Sequence, residues 1–259
     1  MKLFIILWSF VCFVHCLHSQ NRNDTMQVLF IGNSYTHYHD LPQTVKEIAE
    51  TQQINMEYTA IHPGGTRLAQ HLQSEEVINT IKRGIWNYIV LQEQSTAPAL
   101  PTEQVIKNVY SAASGLDSLI HEYNNNARVI FYMTWGHKNG SQKQVKNYPL
   151  INTYQGMQER LKISYLEMTY RHDAWCAPVG MAWQRVRQEH PDYILYEHDR
   201  SHPSALGSYL AANVIFTTLY QRSYQTSVIN GLPPEQAEYI QQVAQKTVFE
   251  NSELLNIKK

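Results

Sequence analysis

The sequence predicts an α/β fold: a central, mostly parallel sheet of about five strands with helices on both faces. Short apolar, β-branched runs recur along the chain, each closed by a glycine or a polar cluster, as expected of strands buried on both faces. Between them lie longer stretches with apolar residues at three- and four-residue spacing, and this alternation is the signature of parallel strands joined by helical crossovers. No repeat or linker interrupts the alternation, so residues 21–259 read as one domain.

The first strand covers residues 28–31 and stops at Gly32, which permits a sharp turn into Asn33 and Ser34. Leu41, Val45, Ile48 and Ala49 give residues 41–51 a helical apolar face, with Asp40 as the expected cap and Pro42 in the first turn. Residues 56–61 form a second strand that runs into His62-Pro63-Gly64-Gly65, where paired glycines free the backbone for close approach. A helix over 74–83 leads to a third strand, 86–91, ending in Gln92-Glu93-Gln94-Ser95. A long helix over 101–123 precedes a fourth strand, 128–134, which opens into a polar loop containing Trp135, His137 and Lys138. The remaining expected elements are helix 150–170, strand 175–179, a helix from Gly180 to about His190, and helices 203–220 and 234–249.

Lys2 followed by the apolar run 3–14 reads as a secretory signal peptide, residues 1–20, whose h-region is too short to span a bilayer. The expectation is an exported protein, periplasmic or extracellular, with no stable membrane insertion once the leader is gone. A lipid anchor on Cys16 is the competing reading, disfavoured because His15 is a poor residue before a lipidated cysteine. Removal of the leader takes Cys12 and Cys16, leaving Cys176 alone in an apolar strand, buried and inert. With 21 Lys+Arg against 22 Asp+Glu, the chain lacks the basic field that nucleic acid or an anionic membrane surface requires. The 17 tyrosines suit either a sugar-binding surface or a core, and composition does not separate the two.

Strands of a parallel sheet share one carboxyl edge, so the clusters at Ser34, Gly65 and Gln92 to Ser95 meet there whatever the strand order. Asp199-Arg200-Ser201-His202 precedes the helix from Pro203 and can fold over the same edge. A serine needs a base to take its proton, and the base needs a carboxylate to fix its tautomer. The Asp199-x-x-His202 spacing supplies both within one tight turn, while glycine N–H groups and a side-chain amide can bind an oxyanion.

Gly32-Asn33-Ser34-Tyr35 with the distant Asp199-x-x-His202-Pro203-Ser204 resembles the SGNH (GDSL-type) hydrolases. Leu91-Gln92-x-x-Ser95 and Ala177-Pro178-Val179-Gly180 narrow the resemblance to an exported bacterial branch. It runs from about Val28 to Tyr220 and implies a three-layer, flavodoxin-like fold and cofactor-free esterase chemistry, commonly removal of small acyl groups from sugars. It casts Ser34 as nucleophile, His202 as base, Asp199 as orienting acid, and the Ser34 and Gly65 N–H groups as oxyanion donors. Two departures stand out. Asn33 replaces an aspartate frequent in the family, and the family's Gly-x-Asn-Asp block is absent, so its donor asparagine must be replaced by Gln92 or Gln94. Gln92 is preferred because it directly follows the strand and the branch places glutamine there. The two glutamines share a side only if the strand runs past Leu91.

The expected substrate is a small ester, an O-acetyl group on a free or polymeric carbohydrate, with Trp135, His137 and Lys138 on the substrate rim. Two alternatives remain open: a catalytically silent glycan-binding module on the same fold, and a metal-assisted hydrolase using His37, His39, His62, His198 or Asp199. The second lacks any recognised ligand spacing such as H-E-x-x-H.

Overall fold

In the computed structural model, residues 25–141 and 148–258 are described. The expected leader, its cleavage site and Cys16 lie outside the described residues. Strand β1 (Met26–Ile31) leads through Asn33 into a one-turn helix α1 (Ser34–His37), then α2 (Leu41–Thr51) and β2 (Met56–Ile61). Short helices α3 (Leu68–His71) and α4 (Glu75–Ile81) precede β3 (Tyr88–Leu91). Helix α5 (Thr102–Val105) continues through a π-turn at Ile106–Tyr110 into α6 (Ser111–Tyr123), then β4 (Arg128–Tyr132). Helix α7 (Tyr154–Arg171), β5 (Trp175–Ala177), α8 (Val179–Glu189), α9 (Ala205–Tyr220) and α10 (Pro234–Glu250) complete the chain.

All five strands are parallel, in the order β2-β1-β3-β4-β5. This is the flavodoxin-like order, and its direction of winding reverses between β1 and β3, where a crevice opens at the strands' carboxyl ends. Ser34 follows β1 and Gln92 to Ser95 follow β3, so the chain places its polar clusters at that switch point. Helices α2, α8, α9 and α10 pack as one layer, and α3, α4 and α6 pack together in another. Val28 to Ile31 are fully buried, because both faces of β1 are covered. Helix α9 is buried along almost its whole length, which its small and apolar composition, Ala205 to Leu219, permits.

Several expected boundaries shift for local reasons. Asp40 does not cap α2: its backbone is left-handed (φ 47°) and its side chain makes no capping bond. Helix α7 starts behind Thr153, whose side chain accepts from the Gly156 N–H, with a 3-10 turn before it. Helix α9 starts behind Ser204, which accepts from the Gly207 N–H. Helices α1 and α3, four residues each and not continued by a longer helix, are too short to show a helical period in sequence. Cys176 is buried, and burial pushes its thiol up to about 12, leaving it protonated.

Gly32 marks the tightest point of the β1–α1 turn. A Cβ there would lie 2.4 Å from Thr36 Oγ1 and 2.8 Å from Gln92 Oε1. Gly32→Ala is therefore expected to cost about 1–3 kcal/mol of stability by overpacking and to displace Ser34. A denaturant melt together with turnover per folded molecule checks both effects.

Candidate active site

Ser34 opens α1, and Asn33 precedes it in an extended conformation with its side-chain oxygen accepting from the Tyr35 N–H at 3.2 Å. The Asn33 amide donates to Thr66 O at 2.9 Å, tying the Ser34 turn to the Gly64-Gly65 loop. An amide performs both tasks at once, which an aspartate, having only acceptors, would not.

Ser34 Oγ lies 2.8 Å from His202 Nε2. The other ring nitrogen, Nδ1, is hydrogen-bonded to Asp199 Oδ2, while Asp199 Oδ1 accepts from the N–H groups of Ser201 and His202, each at 2.9 Å. Partial burial would raise the Asp199 carboxyl, but the His202 ring and these two N–H groups outweigh it and hold the group below the usual carboxylate range. Asp199 is therefore ionised at neutral pH, Nδ1–H donates to it, and Nε2 presents its lone pair to the serine O–H.

The turn that carries this pair closes on itself. Arg200 adopts φ 65°, left-handed for a non-glycine residue, and Glu197 N–H donates to His202 O at 2.9 Å. Two bonds from the β4 loop brace it: Lys138 N–H to Arg200 O at 2.9 Å, and Trp135 Nε1–H to Ser201 O at 3.1 Å. Tyr38 lies flat against the His202 ring, centroids 4.5 Å apart at 15°, and Tyr35 meets it edge-on. The Tyr35 hydroxyl bonds Ser201 Oγ at 2.7 Å.

The dyad opens on a cavity of about 520 Å³ that Gly65, Gln94, Ser95, Tyr38 and His137 help to line. Gly65 has φ 71°, and a Cβ added there would meet nothing within 4 Å, so its backbone lies bare to the cavity. Gln94 Oε1 is fixed by the N–H groups of Thr96 and Ala97 at 3.0 and 3.1 Å. Its amide donates to Ser95 Oγ at 3.2 Å, and an NH₂ has a second hydrogen to give.

Three sequence expectations need correction. Gln92 is fully buried and does not line the cavity. Its Oε1 accepts from Asn33 N–H and Thr36 Oγ1, both at 2.9 Å, and its Nε2 donates to Glu93 O at 2.5 Å. It is a brace for the Ser34 turn, since β3 ends at Leu91 and strand alternation no longer relates it to Gln94. Trp135 is no rim residue either: it is fully buried, stacked between Tyr35 (4.5 Å) and Trp183 (3.9 Å). Lys138 is exposed away from the cavity and serves through its backbone. His137 does line the cavity, 3.2 Å from Ser95 Oγ, and burial lowers its pKa, with Asp199 raising and His202 lowering it further.

Sequence reading passed over Tyr38, four residues beyond Ser34, and Glu93, a carboxylate directly behind an apolar strand. The first follows a helix too short to show a period, while the second carried a signal in its place at the end of the apolar run 88–91. Of the histidines considered as metal ligands, His37 and His62 form a ring pair at 4.9 Å and His39 pairs with Glu197 at 3.3 Å. Among the described residues, no group of three His, Cys, Asp or Glu is gathered as a metal site would need.

No protein-family profile and no curated protein matches the sequence. Solved structures do. A protein from Slackia heliotrinireducens assigned to the SGNH hydrolases shares 26% identity and a TM-score of 0.63, over 76% of this chain and all (100%) of that one. The fold of this chain is that of the SGNH-type hydrolases. A DUF4886 family protein from Bacteroides uniformis superposes with a TM-score of 0.72 at 20% identity, covering 87% of this chain and 95% of the other. The acetyl xylan esterase AlAXEase shares the fold at a TM-score of 0.53 and 12% identity, over 75% and 100% of the two chains.

Since Trp135 supports the Asp199–His202 turn from inside, Trp135→Ala should cost about 3–5 kcal/mol of stability. Hydrolysis of a small ester and of a polymeric one should fall by the same factor, which parallel assays on the two substrates measure.

Proposed function

We propose that this hydrolase is an exported serine esterase that removes small acyl groups, chiefly O-acetyl, from carbohydrates. One observation carries the reading: the aligned Asp199–His202–Ser34 chain opens on a cavity lined by hydroxyl, amide, imidazole and glycine groups. No aliphatic side chain lines it among the described residues, so it suits a short acyl group on a polar alcohol better than a long hydrocarbon chain. The acetyl xylan esterase that shares the fold supports this choice of ester without deciding the sugar. The cationic start and apolar run of residues 1–20 support export.

The chemistry follows from the geometry. His202 Nε2 takes the Ser34 proton as Oγ attacks the ester carbonyl, and Asp199 stabilises the imidazolium that results. The carbonyl oxygen becomes an oxyanion, received by the Ser34 and Gly65 N–H groups and the free amide hydrogen of Gln94. Collapse expels the alcohol, protonated by His202 Nε2–H, and leaves an acyl group on Ser34. Water, deprotonated by the same imidazole, then releases the acid and restores the serine. His137, neutral beside Ser95, offers a hydrogen bond to a hydroxyl of the substrate.

A fluorophosphonate probe should add one label, lost in Ser34→Ala, and acetate should be released from acetylated xylan faster than long acyl chains from their esters. Labelling that persists in the variant would place the nucleophile elsewhere, and a labelled enzyme idle on every acetylated glycan would refute the substrate class. Gln94→Ala should lower kcat by roughly 10² to 10³ with little change in KM, the loss expected for one oxyanion donor. Gln92→Ala should instead lower the melting temperature, because it strands the Asn33 N–H.

A further inference from the structure

Glu93 stands between the two loops that carry the assigned oxyanion donors, and its side chain is almost fully buried. Its Oε1 accepts from the Gln94 N–H at 2.6 Å, and both carboxylate oxygens lie 3.4 Å from the Leu68 N–H. Leu68 begins α3, three residues past Gly65. The Glu93 backbone is fixed as well: its N–H donates to the Tyr165 hydroxyl at 3.3 Å and its carbonyl accepts from Gln92. One side chain thus bonds the Gln94 loop and the Gly65 loop at once.

The charges around it are sparse. Arg67 acts on the carboxylate through space, Tyr165 is the titratable group facing it from α7, and among the described residues no cation pairs with it directly. Burial pushes the carboxyl up to about 7, with the Gln94 and Leu68 N–H groups and Arg67 pulling it back. The native state therefore holds a proton that the unfolded chain releases between 4.5 and about 7. Stability contributed by this group falls as pH rises through that window and is lowest above it. An unpaired buried carboxylate is thus a cost to the fold, and costs of that kind are retained where the geometry they impose serves function.

We propose that Glu93 is a positioning residue of the esterase site, its carboxylate cross-tying the Gln94 and Gly65 loops so that both donors are aimed when the oxyanion forms. This rests on the assignment of Ser34, Gly65 and Gln94 above. An anion is suited to the task because both its oxygens accept, whereas a glutamine would turn an NH₂ toward one of the two N–H groups.

The experiment compares wild type with Glu93→Gln, reading kcat and KM for 4-nitrophenyl acetate, inhibition by a boronic acid that forms a tetrahedral anion on serine, and melting temperature from pH 5 to 8. Glu93→Gln should lower kcat by roughly tenfold or more and weaken the boronate by a similar factor, with KM within about twofold, as loosened transition-state donors require. Its melting temperature should lose the decline that wild type shows towards neutral pH. Unchanged kcat and boronate affinity would overturn the proposal. So would a loss traced by active-site titration to fewer folded molecules with normal turnover per site, since that is a purely structural role. If Glu93→Gln does not fold, Glu93→Asp, which keeps the charge but withdraws it by one methylene, is judged by the same kinetic readouts. Failure of wild type to label at Ser34 would instead defeat the esterase assignment, leaving the melting profile to report the carboxylate alone.

Discussion

The site depends on one buried amide. Gln92 leaves the end of β3, reaches across the switch point, and accepts from both the Asn33 N–H and the Thr36 hydroxyl at the start of α1. Those groups lie at a helix beginning, where the first N–H donors have no partner within the helix. A residue at the end of the strand that neighbours β1 takes one of these N–H groups and the Thr36 hydroxyl, so the Ser34 turn is held by the sheet itself. His71 adds a second tie, 2.7 Å from Gly32 O, and burial keeps its ring neutral and able to donate there. Ser34 is thereby fixed before any substrate arrives, and preorganisation of this kind lets donors act without reorganising at the moment of reaction.

Around that tie, three consecutive residues take three directions. Gln92 turns to the Ser34 turn, Glu93 to the Gly65 loop and Gln94 to the cavity. His202 arrives from the opposite end of the sequence on a turn whose left-handed Arg200 brings the Asp199 carboxylate back onto its ring. The β4 loop bonds that turn through Lys138 and Trp135. Five loops converge, and each is bonded to another through a backbone group.

The sheet and the dyad were legible in the sequence for the same reason: both are local. Val28 to Ile31 reads as a buried strand from four adjacent residues, and Asp199 reaches His202 within one turn. The errors came where a contact spans the chain. Gln92 and Gln94 differ by two positions, and which one faces the cavity turns on β3 ending at Leu91, a detail that periodicity does not set. Trp135 in a polar loop looks like a sugar platform until Tyr35 and Trp183 are brought to its two faces. Asp40 before Leu41-Pro42 has a capping sequence, yet its backbone, like that of His39 before it, is left-handed and its side chain makes no capping bond. A helix of four residues offers no period at all, which is why Tyr38 went unnoticed beside the imidazole it covers.

The stack of Tyr35, Trp135 and Trp183 has an optical consequence. Two indoles whose ring centroids lie 3.9 Å apart at 4° have coupled electronic transitions, and each is held in a fixed, chiral surrounding. The stack bridges α1, the β4 loop and α8, so it exists only while those three segments are docked. Its near-ultraviolet circular dichroism is a native readout of that docking, of the sort that vanishes when packing loosens while helices persist. The molecule carries its own chromophore for the integrity of its proposed catalytic centre, one residue from Ser34.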